Sequence, residues 1–467
     1  MTNTTIRQLG TLFVLLFALL AARQLYVQVV AGPSIAAKPY NPRHALLDQH
    51  RGRILASDGS VLAQTVKGKR VYPLGAALAQ TVGYVSQRYG TSGLEDAYDS
   101  ALTPADTSGD LSAQAGQIGQ AISGQSAEPR GADVVTTINV AIQTELYARL
   151  SQHARGAGVV LDPRTGAVLA IASVPTFNPN GIDAIFAELA HAANSPLINR
   201  ATGGLYPPGS TFKIFTAAAA LDSGTVTMDS QFDDPGYLVI GNYTAHDDEG
   251  EVPGHLDLTG AFAKSSNVDF AQIALKLGVD RFYDYSQRWG LGESLDFQLP
   301  AERDRIPAKS DVFPGTLAQM GFGQASLLVS PLRMALVAAT IANGGLEQRP
   351  FIVRQINKGA SSSTFGPAQL AQPISTDTAQ NVKNMMIAVV KEGTGTVAAL
   401  PNVTVAGKTG TATNPAGKSH SWFVCFAPAQ APRIAVAIVI ENSGYGATYA
   451  APIARDVLRA ALQAVRV

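Results

Sequence analysis

The chain has 467 residues, too many for one ordinary domain, and its 35 basic and 35 acidic residues balance without a basic run, which argues against a nucleic-acid partner. Its one cysteine, Cys425, excludes an internal disulfide, so packing must hold the fold. The apolar setting of that cysteine, from Trp422 to Phe426, points to a buried strand and an inert thiol.

From Leu9 to Ala22 the sequence is almost wholly apolar, and counting from Leu12 to Ala31 gives the length of a membrane span if Arg23 snorkels to the interface. No A-x-A cleavage pattern lies between Phe17 and Gly32, which favours an uncleaved anchor over a removed signal peptide. Arg7 lies before the segment and Arg23, Lys38 and Arg43 lie within or beyond it, so charge does not fix its orientation. Two short apolar runs around Asp58-Gly59 read as a β-hairpin, since Asp-Gly suits a tight turn. A short helix is expected near Leu94-Glu95-Asp96. From Thr103 to Arg130 the chain is rich in Ser, Gly, Gln and Ala without apolar periodicity, which reads as a linker.

The texture changes at Asp133. Ile138, Ala141, Ile142, Leu146 and Leu150 recur at helical spacing, and Gly158–Asp162 and Ala167–Ala172 read as antiparallel strands around Pro163-Arg164-Thr165-Gly166. Near the far end, Val403–Gly407, Ser421–Phe426 and Ile434–Ile440 read as three more strands, and the chain closes on an apolar helix from about Pro452 to Val465. Strands from both ends would share one sheet with a mostly helical region inserted between them, an α+β layered domain. His246-Asp247-Asp248-Glu249 reads as a solvated hairpin tip rather than a metal site, and His420 as structural at the start of a strand.

Within the helical region, Pro207-Pro208-Gly209-Ser210-Thr211-Phe212-Lys213 opens an Ala-rich apolar run that stops at Gly224. A helix starting at or next to Ser210 puts residues i and i+3 on one face, so the Lys213 amine can reach the Ser210 hydroxyl: a nucleophile beside a base. Two more short motifs follow, Ser265-Ser266-Asn267 and Lys408-Thr409-Gly410-Thr411. Ser265 can relay a proton, and Asn267 can orient both a substrate amide and Lys213. Ser266 reads as a spacer. Lys408 with the Thr409 and Thr411 hydroxyls suits a substrate carboxylate, and Gly410 leaves room for an extended peptide beside the strand. The backbone N–H groups of Ser210 and Thr411 would hold an oxyanion.

S-x-x-K, S-x-N and K-T-G in this order resemble the signature of penicillin-binding proteins and serine β-lactamases. Phe177-Asn178-Pro179-Asn180, Gly321-Phe322-Gly323-Gln324 and Ile341–Gly345 are similar to the transpeptidase domain of the first group, and Arg51-Gly52-Arg53-Ile54 and Ser92-Gly93-Leu94-Glu95 resemble the membrane-proximal half of its class B members, most closely the penicillin-binding protein A group. That resemblance implies a five-stranded antiparallel sheet flanked by helices, after an anchor over residues 1–31 and a pedestal (dimerisation-like) module with linker over 32–131, the transpeptidase domain filling 132–467. It implies a D,D-transpeptidase of peptidoglycan synthesis, with stem peptides ending in D-Ala-D-Ala as substrates, β-lactams as covalent ligands, no cofactor and no metal. By the same resemblance, Ser210, Lys213, Ser265, Asn267 and Lys408 are the catalytic residues, and Thr409, Gly410 and Thr411 bind substrate. The enzyme would sit on a single-pass anchor with its catalytic domain outside the cytoplasm, beside a glycan polymerase and elongation or division partners. A β-lactamase, a D,D-carboxypeptidase and a non-enzymatic wall-assembly scaffold are the alternatives. No Glu followed four residues later by Asn lies between Asn267 and Lys408, which disfavours the first.

Overall fold

The structure is a computed structural model that describes residues 3–26, 51–86, 88–104, 130–414 and 417–465. Helix α1 (Asn3–Leu25) exposes Leu12, Phe13, Val14, Leu15, Phe17 and Leu19. Among the described residues no helix is long and apolar enough to cross a membrane, so the expected anchor finds no support there. The physical reason is length: the uninterrupted apolar stretch Leu12–Ala22 rises only about 16 Å at 1.5 Å per residue, against about 30 Å of hydrocarbon. The rest of the expected span, residues 27–31, lies outside the described residues, as does nearly all of the expected linker, 105–129.

The Asp58-Gly59 hairpin forms as expected. Strand β1 (Ile54–Leu55) pairs antiparallel with β2 (Val61–Val66), Gly59 takes φ +87°, and the Ser60 N–H donates to Asp58 Oδ1 at 2.9 Å. After β3 (Lys69–Val71), α2 (Gly93–Ala97) covers the Leu94-Glu95-Asp96 site. Glu95 is fully buried and accepts from Arg51 Nε at 2.7 Å and Arg70 Nε at 2.6 Å. Asp99 also accepts from Arg51, at 2.7 Å, so the two guanidiniums face two carboxylates.

Strand β4 (Asp133–Thr136) lies parallel to β1 and antiparallel to β11 (Val353–Lys358). With β12 (Ser361–Thr364) this gives a six-stranded sheet in the order β12-β11-β4-β1-β2-β3. The sheet therefore joins residues 54–71 to a segment some 300 residues later.

A second, five-stranded antiparallel sheet has the order β13-β14-β15-β5-β6, where β5 is Gly156–Leu161, β6 Val168–Val174, β13 Ala406–Asn414, β14 Gly417–Ala427 and β15 Ile434–Ile440. It is the sheet expected from strands at both ends of the chain. Strand β13 begins at Ala406 rather than Val403, because its register is set by pairing Ala406 to Phe426 and Thr411 to Ser421. Alternation then splits the core: Val436, Ile438 and Phe423 pack with Ile142, Leu146, Val457 and Leu458 of α3 (Val140–Leu150) and α9 (Ala450–Ala464). Ala437, Val439 and Val424 face the opposite side, in one cluster with Phe212, Phe215 and Leu336 from α4 (Lys213–Asp222) and α7 (Pro331–Ala342). A strand's period of two thus gives the sheet two apolar faces, each covered by helices. Cys425 is fully buried on the α3/α9 face and burial pushes its thiol well up, as an inert cysteine requires.

Candidate active site

Four segments converge on Ser210. The first is its own turn. Gly209–Phe212 form a 3₁₀ turn before α4 begins at Lys213, so the α-helix starts three residues later than expected. The cause lies in Gly209, at φ +53°, whose N–H donates to Gly323 O at 2.9 Å. A Cβ on Gly209 would sit 2.7 Å from Thr411 O, so only glycine lets this turn lie against β13. In a 3₁₀ turn residues i and i+3 eclipse, which still puts Ser210 and Lys213 on one side. Trp422 fixes the entry from below, its Nε1–H donating to Pro207 O at 3.0 Å. Trp422 and Phe423 are both fully buried, so neither faces the cleft.

The second segment joins α5 (Leu258–Lys264) to α6 (Asn267–Arg288). Ser265 ends α5 in the left-handed conformation, φ +63°, which turns its carbonyl and hydroxyl toward Lys213. Lys213 is fully buried and donates to Ser265 O at 2.5 Å, Asn267 Oδ1 at 2.8 Å and, more weakly, Ser265 Oγ at 3.4 Å. Among the described residues no hydrogen bond joins Lys213 to Ser210. The amine's three hydrogens already have acceptors on the α5–α6 side. Burial is the largest influence on Lys213 and lowers it to about 8, against the opposing pull of Asp248, Asp247, Asp269 and Asp234.

Ser266 is more than a spacer. It caps α6, its Oγ accepting from Asp269 N at 2.9 Å and donating to Asp234 Oδ2 at 2.5 Å.

Strand β13 supplies the third segment. Lys408 is fully buried, donates to Ser265 Oγ at 2.7 Å, and is held well below the ordinary lysine range, first by burial and then by the nearby Lys213 charge. It stands behind the cleft, whose wall is made by Thr409 and Thr411. Gly410 is closely enclosed: an added Cβ would meet Thr211 Cγ2 at 2.8 Å, Trp422 Cβ at 2.9 Å and Pro208 O at 3.0 Å.

The fourth segment follows the hairpin of β8 (Tyr237–Ile240) and β9 (Tyr243–His246), and here a sequence reading is corrected. The turn of that hairpin is Gly241-Asn242, while Asp247 is buried against the start of α6. Among the described residues no group of three or more His, Cys, Asp or Glu is arranged to hold a metal. His420 is structural, its Nδ1 accepting from Asn442 N at 3.2 Å and its ring packed edge-on to Tyr206.

Ser210 lies where two cavities meet. One, of about 280 Å³, is lined by Ser265, Thr394, Thr409 and Thr411; the other, of about 1080 Å³, runs past Asn267, Gln324 and Thr413. Both share Asp247, Asp248, Glu249 and Tyr445. Thr394 escaped the sequence reading. Its hydroxyl lies 2.6 Å from that of Thr409, and its only signal was a threonine between two glycines in Gly393-Thr394-Gly395.

Comparison with known proteins agrees with this geometry. Residues 156–459 match the penicillin-binding protein transpeptidase domain and residues 51–134 the penicillin-binding protein A dimerisation domain. The peptidoglycan D,D-transpeptidase PbpA of Mycolicibacterium smegmatis is 34% identical, with 99% of each chain covered. The structure of penicillin-binding protein A from M. tuberculosis as a ceftriaxone acyl-enzyme superposes with a TM-score of 0.82 at 32% identity, covering 90% of this chain and 100% of that one. A D,D-transpeptidase domain from Eggerthella lenta superposes with a TM-score of 0.81 at 36% identity, covering 90% and 99%. With a Ser-Lys pair set against a Ser-x-Asn turn and a Lys-Thr-Gly strand, and with nine-tenths or more of its length matched by these proteins, the chain belongs to the penicillin-binding protein transpeptidase family.

Proposed function

We propose that this chain is a peptidoglycan D,D-transpeptidase that cross-links stem peptides through an acyl-enzyme on Ser210 and is acylated there by β-lactams. The observation that carries the reading is the shared Ser265 hydroxyl, within 2.7 Å of Lys408 Nζ and 3.4 Å of Lys213 Nζ, beside the serine that lines both cavities.

Neutral Lys213 takes the Ser210 proton as Oγ attacks the penultimate D-Ala carbonyl carbon. The N–H groups of Ser210 and Thr411 receive the oxyanion. As the C–N bond breaks, the proton passes from Lys213 through Ser265 to the leaving amine, and terminal D-Ala departs. An amine of a neighbouring stem then attacks the ester carbonyl, its proton returns through Lys213 to Ser210 Oγ, and the cross-link forms with the enzyme regenerated. Asn267 orients Lys213 and substrate, and Lys408 holds Ser265 while its charge attracts the substrate carboxylate toward Thr409 and Thr411. Gly410, with no side chain, lets the strand lie against the Ser210 turn, so that the two stay together at the carbonyl under attack.

The same reading places the catalytic part outside the cytoplasm and at the membrane, with the exposed leucines and phenylalanines of α1 as support for the contact. It also makes a glycan polymerase the natural partner, and residues 1–31, 32–131 and 132–467 the cytoplasmic tip with its anchor, the pedestal with its linker, and the catalytic part.

Intact-mass spectrometry of the protein mixed with penicillin, with Ser210→Ala as control, tests the function. A long-lived adduct that Ser210→Ala abolishes is the expected result. An adduct that forms and vanishes while drug is consumed would make the protein a β-lactamase instead.

A further inference from the structure

The segment His246-Asp247-Asp248-Glu249 enters no step of the chemistry above, yet Asp247 is one of the most tightly held side chains near Ser210. It is 8% exposed. Its Oδ1 accepts from Asn267 N at 2.5 Å and from Val268 N at 3.2 Å, while Ser266 Oγ takes the next amide, Asp269 N, at 2.9 Å. Asp247 thus serves two of the free N–H groups that every helix start leaves over. The residue before it, His246, accepts from Asn267 Nδ2 at 3.1 Å. Asn267 is therefore fixed at its backbone by Asp247 and in its amide rotation by His246, and the amide oxygen left over is the one that holds Lys213 at 2.8 Å.

Among the described residues no group donates to the other oxygen of Asp247, Oδ2. It faces Asp234, which already accepts from Ser266 Oγ and Gly236 N. Two carboxyls in contact are stable only if they share a proton.

We propose that Asp247 is a positioning residue for acylation, which sets Asn267, and through Asn267 the Lys213 amine, in the attitude that the reaction needs. The inference rests on the reading of Ser210 as nucleophile and Lys213 as base. The titratable groups around Asp247 are Asp234 from β7 (Gln231–Asp234), Asp269 from α6, Lys213 from α4 with Lys408 behind it on β13, and His246 and Asp248 on its own segment. Burial, then Asp234, pushes the Asp247 carboxyl up to about 7. Once ionised, Asp247 favours the protonated form of Lys213 and so works against the base.

Two substitutions separate position from charge. Asp247→Asn keeps an oxygen for the Asn267 and Val268 amides and puts an N–H toward Asp234 where the shared proton was, so it removes only the charge. Asp247→Ala removes both. The test is the second-order rate constant for acylation of the full chain by a fluorescent penicillin, from about pH 5.5 to about pH 9.5, with a thermal melt of each variant. Asp247→Ala should acylate about 10-fold or more slowly at every pH. Asp247→Asn should keep its plateau rate within about threefold while its acid limb moves about half a pH unit or more toward acid. An Asp247→Asn acid limb that overlays the wild type, or an Asp247→Ala variant that acylates at the wild-type rate, would overturn the proposal. Absence of an adduct on the wild type would instead refute the proposed function, so the two failures read differently.

Discussion

Gly410→Ala puts one methyl group at the tightest point of the site. The methyl carbon would stand 2.8 Å from Thr211 Cγ2, 2.9 Å from Trp422 Cβ and 3.0 Å from Pro208 O. None of these neighbours can swing away. Thr211 is pinned by its hydroxyl to Pro208 O at 2.7 Å, Trp422 by its Nε1 to Pro207 O at 3.0 Å, and Pro208 O is backbone. Ordinary contact begins near 3.5 Å, so β13 and the Ser210 turn must part by about half an ångström or more. Overpacking of this kind costs about 1 to 3 kcal/mol in stability. Its effect on chemistry should be larger than that range suggests, because the turn and strand being forced apart carry the proposed nucleophile and one oxyanion donor. A misplacement approaching 1 Å costs about 100-fold in rate. Acylation by a fluorescent penicillin, read as a second-order rate constant beside a thermal melt, checks both numbers. Gly417→Ala, on the next strand with nothing within 4 Å of its Cβ, is the control and should match the wild type. A Gly410→Ala enzyme acylating within about twofold of the wild type would refute the reasoning.

Two further outcomes follow from the geometry. Because burial lowers Lys213 from 10.5 to about 8, its neutral form predominates only above that pH, and acylation should fall about tenfold per unit on the acid side; a flat rate between about pH 6 and about pH 8 would remove Lys213 as the base. The linked stability runs the same way: between about 8 and 10.5 the unfolded lysine binds more proton than the folded one, so this group's contribution rises with pH across that window. Thr394 and Thr409 share one hydrogen bond at 2.6 Å, which leaves one hydroxyl hydrogen of the pair for a ligand in the cavity. Thr394→Val should weaken substrate or penicillin binding about 2- to 10-fold, with Thr394→Ser restoring it, as titration of the pre-acylation complex would measure.

What could be read from sequence was whatever rests on local spacing. Ser210, Lys213, Ser265, Asn267 and Lys408 stood out because short motifs hold them in fixed order, and the strands Ile434–Ile440 and Ser421–Phe426 because their apolar runs suit a sheet buried on both faces. Asp247 was misread because a run of four polar residues looks solvated, and only the tertiary approach of α6 buries one of them. Thr394 had no periodic neighbour to mark it. The link expected from Lys213 to Ser210 is absent, since the three acceptors that hold the amine come from residues more than fifty positions away. The start of β13 was misplaced by three residues, because pairing with β14 rather than local apolarity decides where the strand begins.

The six-stranded sheet has a consequence for how the molecule can be taken apart. Strand β4 is hydrogen-bonded on one side to β1 and on the other to β11, so residues 54–71 and the catalytic half share backbone bonds as well as contacts. A chain begun at residue 132 would strip one side of β4 and leave Val134 and Val135 at a raw, apolar edge. Such edges recruit strands from other molecules. Truncation there should yield aggregates in place of a free catalytic fragment, and in the intact protein the two parts should melt together, so that damage to the N-terminal part is felt at Ser210 as lost enzyme rather than as altered chemistry.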